Sequence, residues 1–232
     1  MAELSKAVLG RVSGTLGDIT FRQRNGKSVV ATRPRRYPPP DDQGSIDRRA
    51  RFKVSSKLAV AVSAIPDLFS FWSPKTPPGM STHNYIIQRN VLVVKPSSVS
   101  GLTAITPEHS YPIALTGAKL SGNGIAAALG PIGSGSGIDV AREPNAKLAC
   151  VLSLTNPSNE TYPDFLFVPG ISDSKPVDLE SALTFEVELS AQAAATIESY
   201  ADRKILVALL NFDAAGTPMG YSETAVSDLT EA

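Results

Sequence analysis

Lys147–Thr155 reads KLACVLSLT and Ile205–Phe212 reads ILVALLNF. Each is a short, dense apolar run closed by turn residues, Asn156-Pro157-Ser158-Asn159 after the first and Asp213–Pro218 after the second. That combination predicts β-strands. Working outward, further strand candidates are Ile113–Leu120, Gly124–Leu129, Thr161–Val168, Ala182–Leu189 and Gly220–Val226. Ser121-Gly122-Asn123, Gly133–Gly137 and Pro169-Gly170 read as the turns between them. Ala191–Ala201 is helical by composition and is expected to cross one end. Short strands at this spacing predict an antiparallel, immunoglobulin-like β-sandwich over residues 105–232. Its edge strands could accept a strand from another chain.

Residues 41–104 read as a helical segment. Ser45 is a suitable N-cap, Asp47 would lie in the first turn, and Ile46, Ala50, Val54, Leu58, Ala61, Val62 and Ile65 form one apolar stripe. Pro66 stops that helix. Asp67–Trp72 reads as a short aromatic turn or helix covering the stripe, and Ser81–Asn90 as a further helix capped by Ser81.

Residues 1–40 read as a basic hairpin arm and linker. Asp18–Gln23 alternates with period two, Asn25-Gly26 supplies the turn, and Ser28–Arg33 returns. Such a hairpin is not stable alone in water and must pack on something. Pro34-Arg35-Arg36-Tyr37-Pro38-Pro39-Pro40 then has polyproline character. The whole chain is therefore expected to be mainly β, with a small α-helical segment.

The 232 residues balance 22 basic against 22 acidic side chains, but unevenly. Residues 1–57 hold 13 Lys/Arg against 5 Asp/Glu, a formal +8, leaving −8 for the remainder. Such asymmetry marks a nucleic-acid contact, a membrane contact or an acidic partner. The acidic partner can be a second copy of the chain. One cysteine excludes an internal disulfide framework and a cysteine-based zinc site, and two histidines leave little imidazole chemistry. The opening MAELSKAVLG holds no apolar stretch long enough for a signal peptide or a membrane span, so cytoplasmic synthesis without membrane attachment is expected.

Along LGRVSGTLGDITFRQRNGKSVVATRP the pattern G-x-V-S-G-x-x-G-x-x-x-F-R-x-R-N-G-K is carried by Gly10, Val12, Ser13, Gly14, Gly17, Phe21, Arg22, Asn25 and Gly26, followed by Arg33 and Pro34. It resembles a functionally unassigned family frequent in Bacteroidota. RRARFKVSSKLA, AIPDLFSFW and a C-terminal strand, D-x-x-G turn and last strand extend the likeness along the chain. The resemblance implies an architecture and no activity.

Motifs that carry chemistry are weak throughout. Gly26-Lys27-Ser28 has Phe21 where a phosphate-binding loop needs glycine, and Gly133–Gly137 lacks dinucleotide-binding spacing and context. Cys150 lies in an apolar run and reads as a buried, inert thiol. Glu186 and Glu188 alternate on a strand and read as a solvated face; Asp213 reads as a turn former. No catalytic residue, cofactor or metal is expected.

What remains is the basic front. Arg22, Arg24, Lys27, Arg33, Arg35, Arg36, Arg48, Arg49 and Arg51 are the candidate contacts, with Asn25 and Gly26 as the hairpin turn. They fit a non-enzymatic structural protein, a repeating subunit of a virion or filament whose basic arm meets the acidic body of the next copy, with other virion or surface proteins as further partners. They also fit a nucleic-acid-binding accessory protein. A carbohydrate- or surface-binding module would need exposed aromatics, for which Tyr162, Phe165 and Tyr221 are candidates.

Overall fold

A computed structural model describes residues 2–3, 13–24, 27–33, 39–108, 110–121 and 124–231. The chain divides into two compact units, residues 1–42 and residues 43–232.

Unit one is a small sheet in the order β1-β4-β3-β2, from β1 Ala2–Glu3, β2 Gly14–Leu16, β3 Ile19–Arg24 and β4 Lys27–Thr32. Arg24 pairs with Lys27 and Phe21 with Val30, the register a two-residue connection imposes. Asn25 and Gly26 themselves lie outside the described residues, as do Arg35 and Arg36. Gly17 has φ 57°, left-handed, where the chain reverses from β2 to β3. Among the described residues of this unit only Val29 is a buried hydrophobic, while Leu16 and Ile19 are exposed.

Unit two begins with α1 Gln43–Ser63, two residues ahead of the expected cap. Ser45 is inside the first turn, buried, and its hydroxyl accepts from Arg48 Nη2 at 2.6 Å. The stripe engages from Val54 onward; Ile46 stays exposed. Pro66 takes the first position of α2 Pro66–Trp72, where a missing N–H costs nothing. Ser81 caps α3 Thr82–Asn90, accepting from the Asn84 N–H at 3.2 Å.

The strands follow: β5 Leu115–Ser121, β6 Gly124–Leu129, β7 Asn145–Pro157, β8 Phe165–Ile171, β9 Lys175–Pro176, β10 Leu183–Glu188, β11 Tyr200–Phe212, β12 Pro218–Tyr221, β13 Ala225–Asp228 and β14 Thr230–Glu231. A helix α4, Ala191–Glu198, links β10 to β11, with Ser190 as its N-cap. One sheet runs β10-β6-β5-β14 and the other β12-β11-β7-β8, with β13 also on β11 and β9 on β7. All pairs are antiparallel except β14 on β5. The unit is thus mainly β, with helices at its start.

β7 and β11 explain their dense apolar sequence. Ala149, Val151, Leu206, Ala208, Leu210 and Phe212 pack with Val54, Leu58, Leu68, Trp72 and Ile86 of the helices. Their alternates, Leu148, Cys150, Leu152, Leu154, Ile205, Val207 and Leu209, pack with Ala127, Leu129, Phe185 and Val187 of the other sheet. A strand with both faces covered has no solvent side to make polar. Helices, sheet and sheet therefore form three layers, each large buried side chain stabilising them by roughly 1.5–3 kcal/mol. Lys147 ties the layers at their edge: its ammonium donates to Asp67 of α2 at 2.8 Å and lies 4.7 Å from the Phe212 ring centre.

One expected turn is strand instead. Pro169 and Gly170 lie within β8, opposite Val151 and Cys150. β8 pairs only with β7 and β7 pairs on its other side with β11, so β8 is an edge strand and proline there forfeits no ladder bond on its open side. Glycine fits at 170 because a Cβ would come within 2.6 Å of Val187 Cγ1 and 3.1 Å of Cys150 Sγ. The last expected strand, Gly220–Val226, divides into β12 and β13 around Ser222, which is fully buried and whose hydroxyl accepts from the Leu209 N–H at 2.9 Å.

Candidate functional site

Two regions hold chemistry: the basic residues read from the sequence, and a cleft in unit two.

The basic residues fall on both units. In unit one, Arg22 lies exposed on β3, Arg24 on the same strand, Lys27 exposed on β4, and Arg33 just after it, exposed, with its backbone N–H donating to the Asp18 carbonyl at 2.6 Å. In unit two, Arg48 and Arg49 are exposed on α1, and Arg51 is half-buried with its Nε buried and without a hydrogen bond among the described residues. Lys53 and Lys57 of the same helix lie 5.4 and 4.7 Å from the Phe165 ring centre, cation–π contacts within the unit. Counted by unit, residues 1–42 carry 8 basic and 4 acidic side chains, +4, and residues 43–232 carry 14 and 18, −4. Half of the frontal charge excess therefore belongs to α1.

The cleft, of about 990 Å³, lies in unit two among α2, the turn that follows it, residues 110–112, the 135–138 loop and β12. Its floor is a hydrogen-bonded chain. The Tyr111 hydroxyl donates to Asn211 Oδ1 at 2.9 Å, and Asn211 Nδ2 donates to Glu143 Oε2 at 3.0 Å. Asn211 is fully buried at the end of β11, so both ends of its amide need these partners. Burial raises the Tyr111 phenol above its ordinary range; the bond to Asn211 lowers it and the Glu143 charge raises it further. Tyr111 thus remains a protonated donor at neutral pH. Gly220 lets β12 pass close over this chain, since a Cβ there would meet Glu143 Oε2 at 3.2 Å.

The walls are aromatic and prolyl. The Phe71 and Tyr221 rings lie 4.9 Å apart with planes tilted by 53°. Tyr221 donates its hydroxyl to the Glu108 carbonyl at 3.1 Å, and Glu108 pairs with Arg89. Pro74, Pro112 and Pro218 add rigid apolar surface, and Lys75 and Glu143 are the charged residues of the lining. The Ser110 hydroxyl, also at the lining, is buried and makes no hydrogen bond among the described residues.

Of the aromatics weighed for a surface module, Tyr221 is in this cleft. Phe165 is buried under the α1 lysines, and Tyr162 is paired with Tyr200 at 6.0 Å. Sequence reading passed over Tyr111, Glu143 and Asn211. The one available signal was a lone asparagine in an otherwise apolar strand, ILVALLNF. Cys150 is fully buried and its thiol is pushed up to about 12, which makes it a poor nucleophile. Among the described residues no single helix is long and apolar enough to cross a membrane.

No family model matches the chain, and no curated protein matches it.

Proposed function

We propose that this chain is a non-enzymatic structural subunit, repeated in a larger assembly such as a virion component or filament, in which the basic arm of one copy contacts the acidic body of the next. The charge division carries the reading: residues 1–57 total +8 against −8 for the rest of the chain, with half of that excess in unit one and half on α1. The residues from β5 onward are the most acidic part of the chain, and Glu186 and Glu188 are exposed on β10, an edge strand. A head-to-tail contact between unlike surfaces closes into rings or propagates into filaments and shells. Among its described residues unit one buries one hydrophobic side chain, Val29, and an arm of that kind gains most from packing on a neighbour.

In this reading unit two is a decorated immunoglobulin-like domain. Strand order supports it: the first, second and fifth major strands (β5, β6, β10) share one sheet, and the third, fourth, sixth and seventh (β7, β8, β11, β12/β13) the other. Helices α1 to α3 cover the outer face of the second sheet.

Sedimentation of the full chain at low and high salt tests the function. Self-association at low salt that weakens as salt screens the charges is the expected result. A monomer at high concentration in both salts overturns it. A salt-dependent gel shift with nonspecific DNA or RNA, on a monomeric protein, would instead favour the nucleic-acid reading of Arg22, Arg33, Arg48 and Arg49.

A further inference from the structure

We infer that the cleft around Tyr221 is a binding site for an arginine-flanked polyproline segment, and that its occupant is Pro34–Pro40 of a second copy of this chain. The inference rests on the assembly reading above and names the contact that would carry it.

Polyproline helices have no internal hydrogen bonds, so their carbonyls stay free to accept, and their prolines present flat apolar faces at three residues per turn. Sites that read them are shallow grooves walled by aromatic rings, which lose little conformational entropy on meeting a ligand already extended. The cleft has that composition: Phe71 and Tyr221 tilted against each other, Pro74 and Pro218 beside them, and an open mouth rather than an enclosed cavity. The Ser110 hydroxyl is a donor with no hydrogen-bond partner among the described residues, suited to a ligand carbonyl. Glu143 offers a carboxylate at the lining, with Oε2 already held by Asn211. The chain contains one sequence that matches these demands together: TRPRRYPPP, residues 32–40, with prolines at 34, 38, 39 and 40 and arginines at 33, 35 and 36. The lining carries one cation, Lys75, and one carboxylate, Glu143, so it is close to neutral, which disfavours a polyanionic occupant and leaves the prolines to supply most of the contact.

The test uses the full chain with P38A, P39A and P40A together, so that its own segment does not compete. A fluorescein-labelled peptide of residues 31–42, ATRPRRYPPPDD, is titrated in and its anisotropy followed. Saturable binding at micromolar to submillimolar concentration is expected. It should weaken at least tenfold when Tyr221→Ala is added and when the peptide's own Pro38–Pro40 become alanine, and severalfold with Glu143→Gln. Ser110→Ala, the mildest change, should weaken it twofold or more, and thermal unfolding by circular dichroism verifies that every variant is folded. No saturation, or binding indifferent to both Tyr221→Ala and Ser110→Ala in folded protein, overturns the inference.

Sedimentation of the otherwise unaltered chain separates this from the assembly reading. Salt-dependent self-association that Tyr221→Ala leaves intact sinks the cleft contact and spares the assembly. Peptide binding that meets every expectation in a strictly monomeric protein spares the site and sinks the assembly.

Discussion

The hairpin sheet of residues 1–42 and the double-faced sheet around β7 and β11 are both antiparallel β-structure, yet they are held by different means. In the first, strand pairing is continuous from Ile19↔Thr32 to Arg24↔Lys27, but Val29 is its one buried hydrophobic among the described residues. In the second, every side chain from Leu148 to Leu154 and from Ile205 to Phe212 is buried, on two faces. Hydrogen bonds are alike in both. What separates them is the apolar area each strand removes from water, and burial of that area stabilises a fold more than the net gain from its hydrogen bonds.

The contrast is most directly challenged in the core. Leu206→Ala removes a fully buried side chain that packs with the helices and should cost about 2–5 kcal/mol in urea unfolding. Val29→Ala in the hairpin should barely move the main transition. Equal losses from the two would mean that the hairpin is as much a part of the folded core as β11.

Gly170→Ala probes how tightly the edge of the doubly covered sheet meets β10. The new Cβ would lie 2.6 Å from Val187 Cγ1, so Val187 or the strand must shift, at a cost of about 1–3 kcal/mol. Gly117→Ala, on β5, meets nothing within 4 Å and is the matched control.

Alkaline titration sharpens the same comparison. The folded Cys150 thiol is raised to about 12 from an ordinary value of 9.0, and burial is the cause. A raised folded value means that the neutral thiol is favoured in the native state. Its contribution is complete below pH 9 and is lost as pH rises toward 12, at a limiting slope of about 1.4 kcal/mol per pH unit. Tyr111, also raised, adds to the loss above pH 10. Cys150→Ala should flatten the slope between pH 9 and 10, read from urea midpoints at stepped pH.

The smallest effect on stability is expected from Arg22→Ala and Arg33→Ala, exposed in the hairpin unit and worth under about 0.5 kcal/mol. The same pair should nonetheless weaken low-salt self-association measurably in sedimentation. If association is unmoved while α1 substitutions at Arg48 and Arg49 abolish it, the adhesive charge belongs to unit two.

Most elements were legible locally. Ser81 is a capping residue whose side chain does in the fold what its chemistry predicts, whereas Ser45, expected to cap α1, lies inside its first turn. Pro66 stopped one helix and began the next. Pro169-Gly170 misled because turn propensity is local, whereas the reason for both residues is remote: an open strand edge for the proline and the close approach of Val187 for the glycine. The cleft was less legible still. Tyr111, Glu143 and Asn211 lie 32 and 68 positions apart along the chain, and no spacing rule joins them.

Alternation, caps and prolines are properties of neighbours in the chain, so strands, helices and the lopsided charge were set by residue order alone. Which faces of β7 and β11 met helices and which met the second sheet required the layers to assemble, because a run apolar on both sides carries no polar face to orient it. The buried Tyr111–Asn211–Glu143 chain arose at that same step, where packing removed water and left each polar group only the partners that folding had brought near.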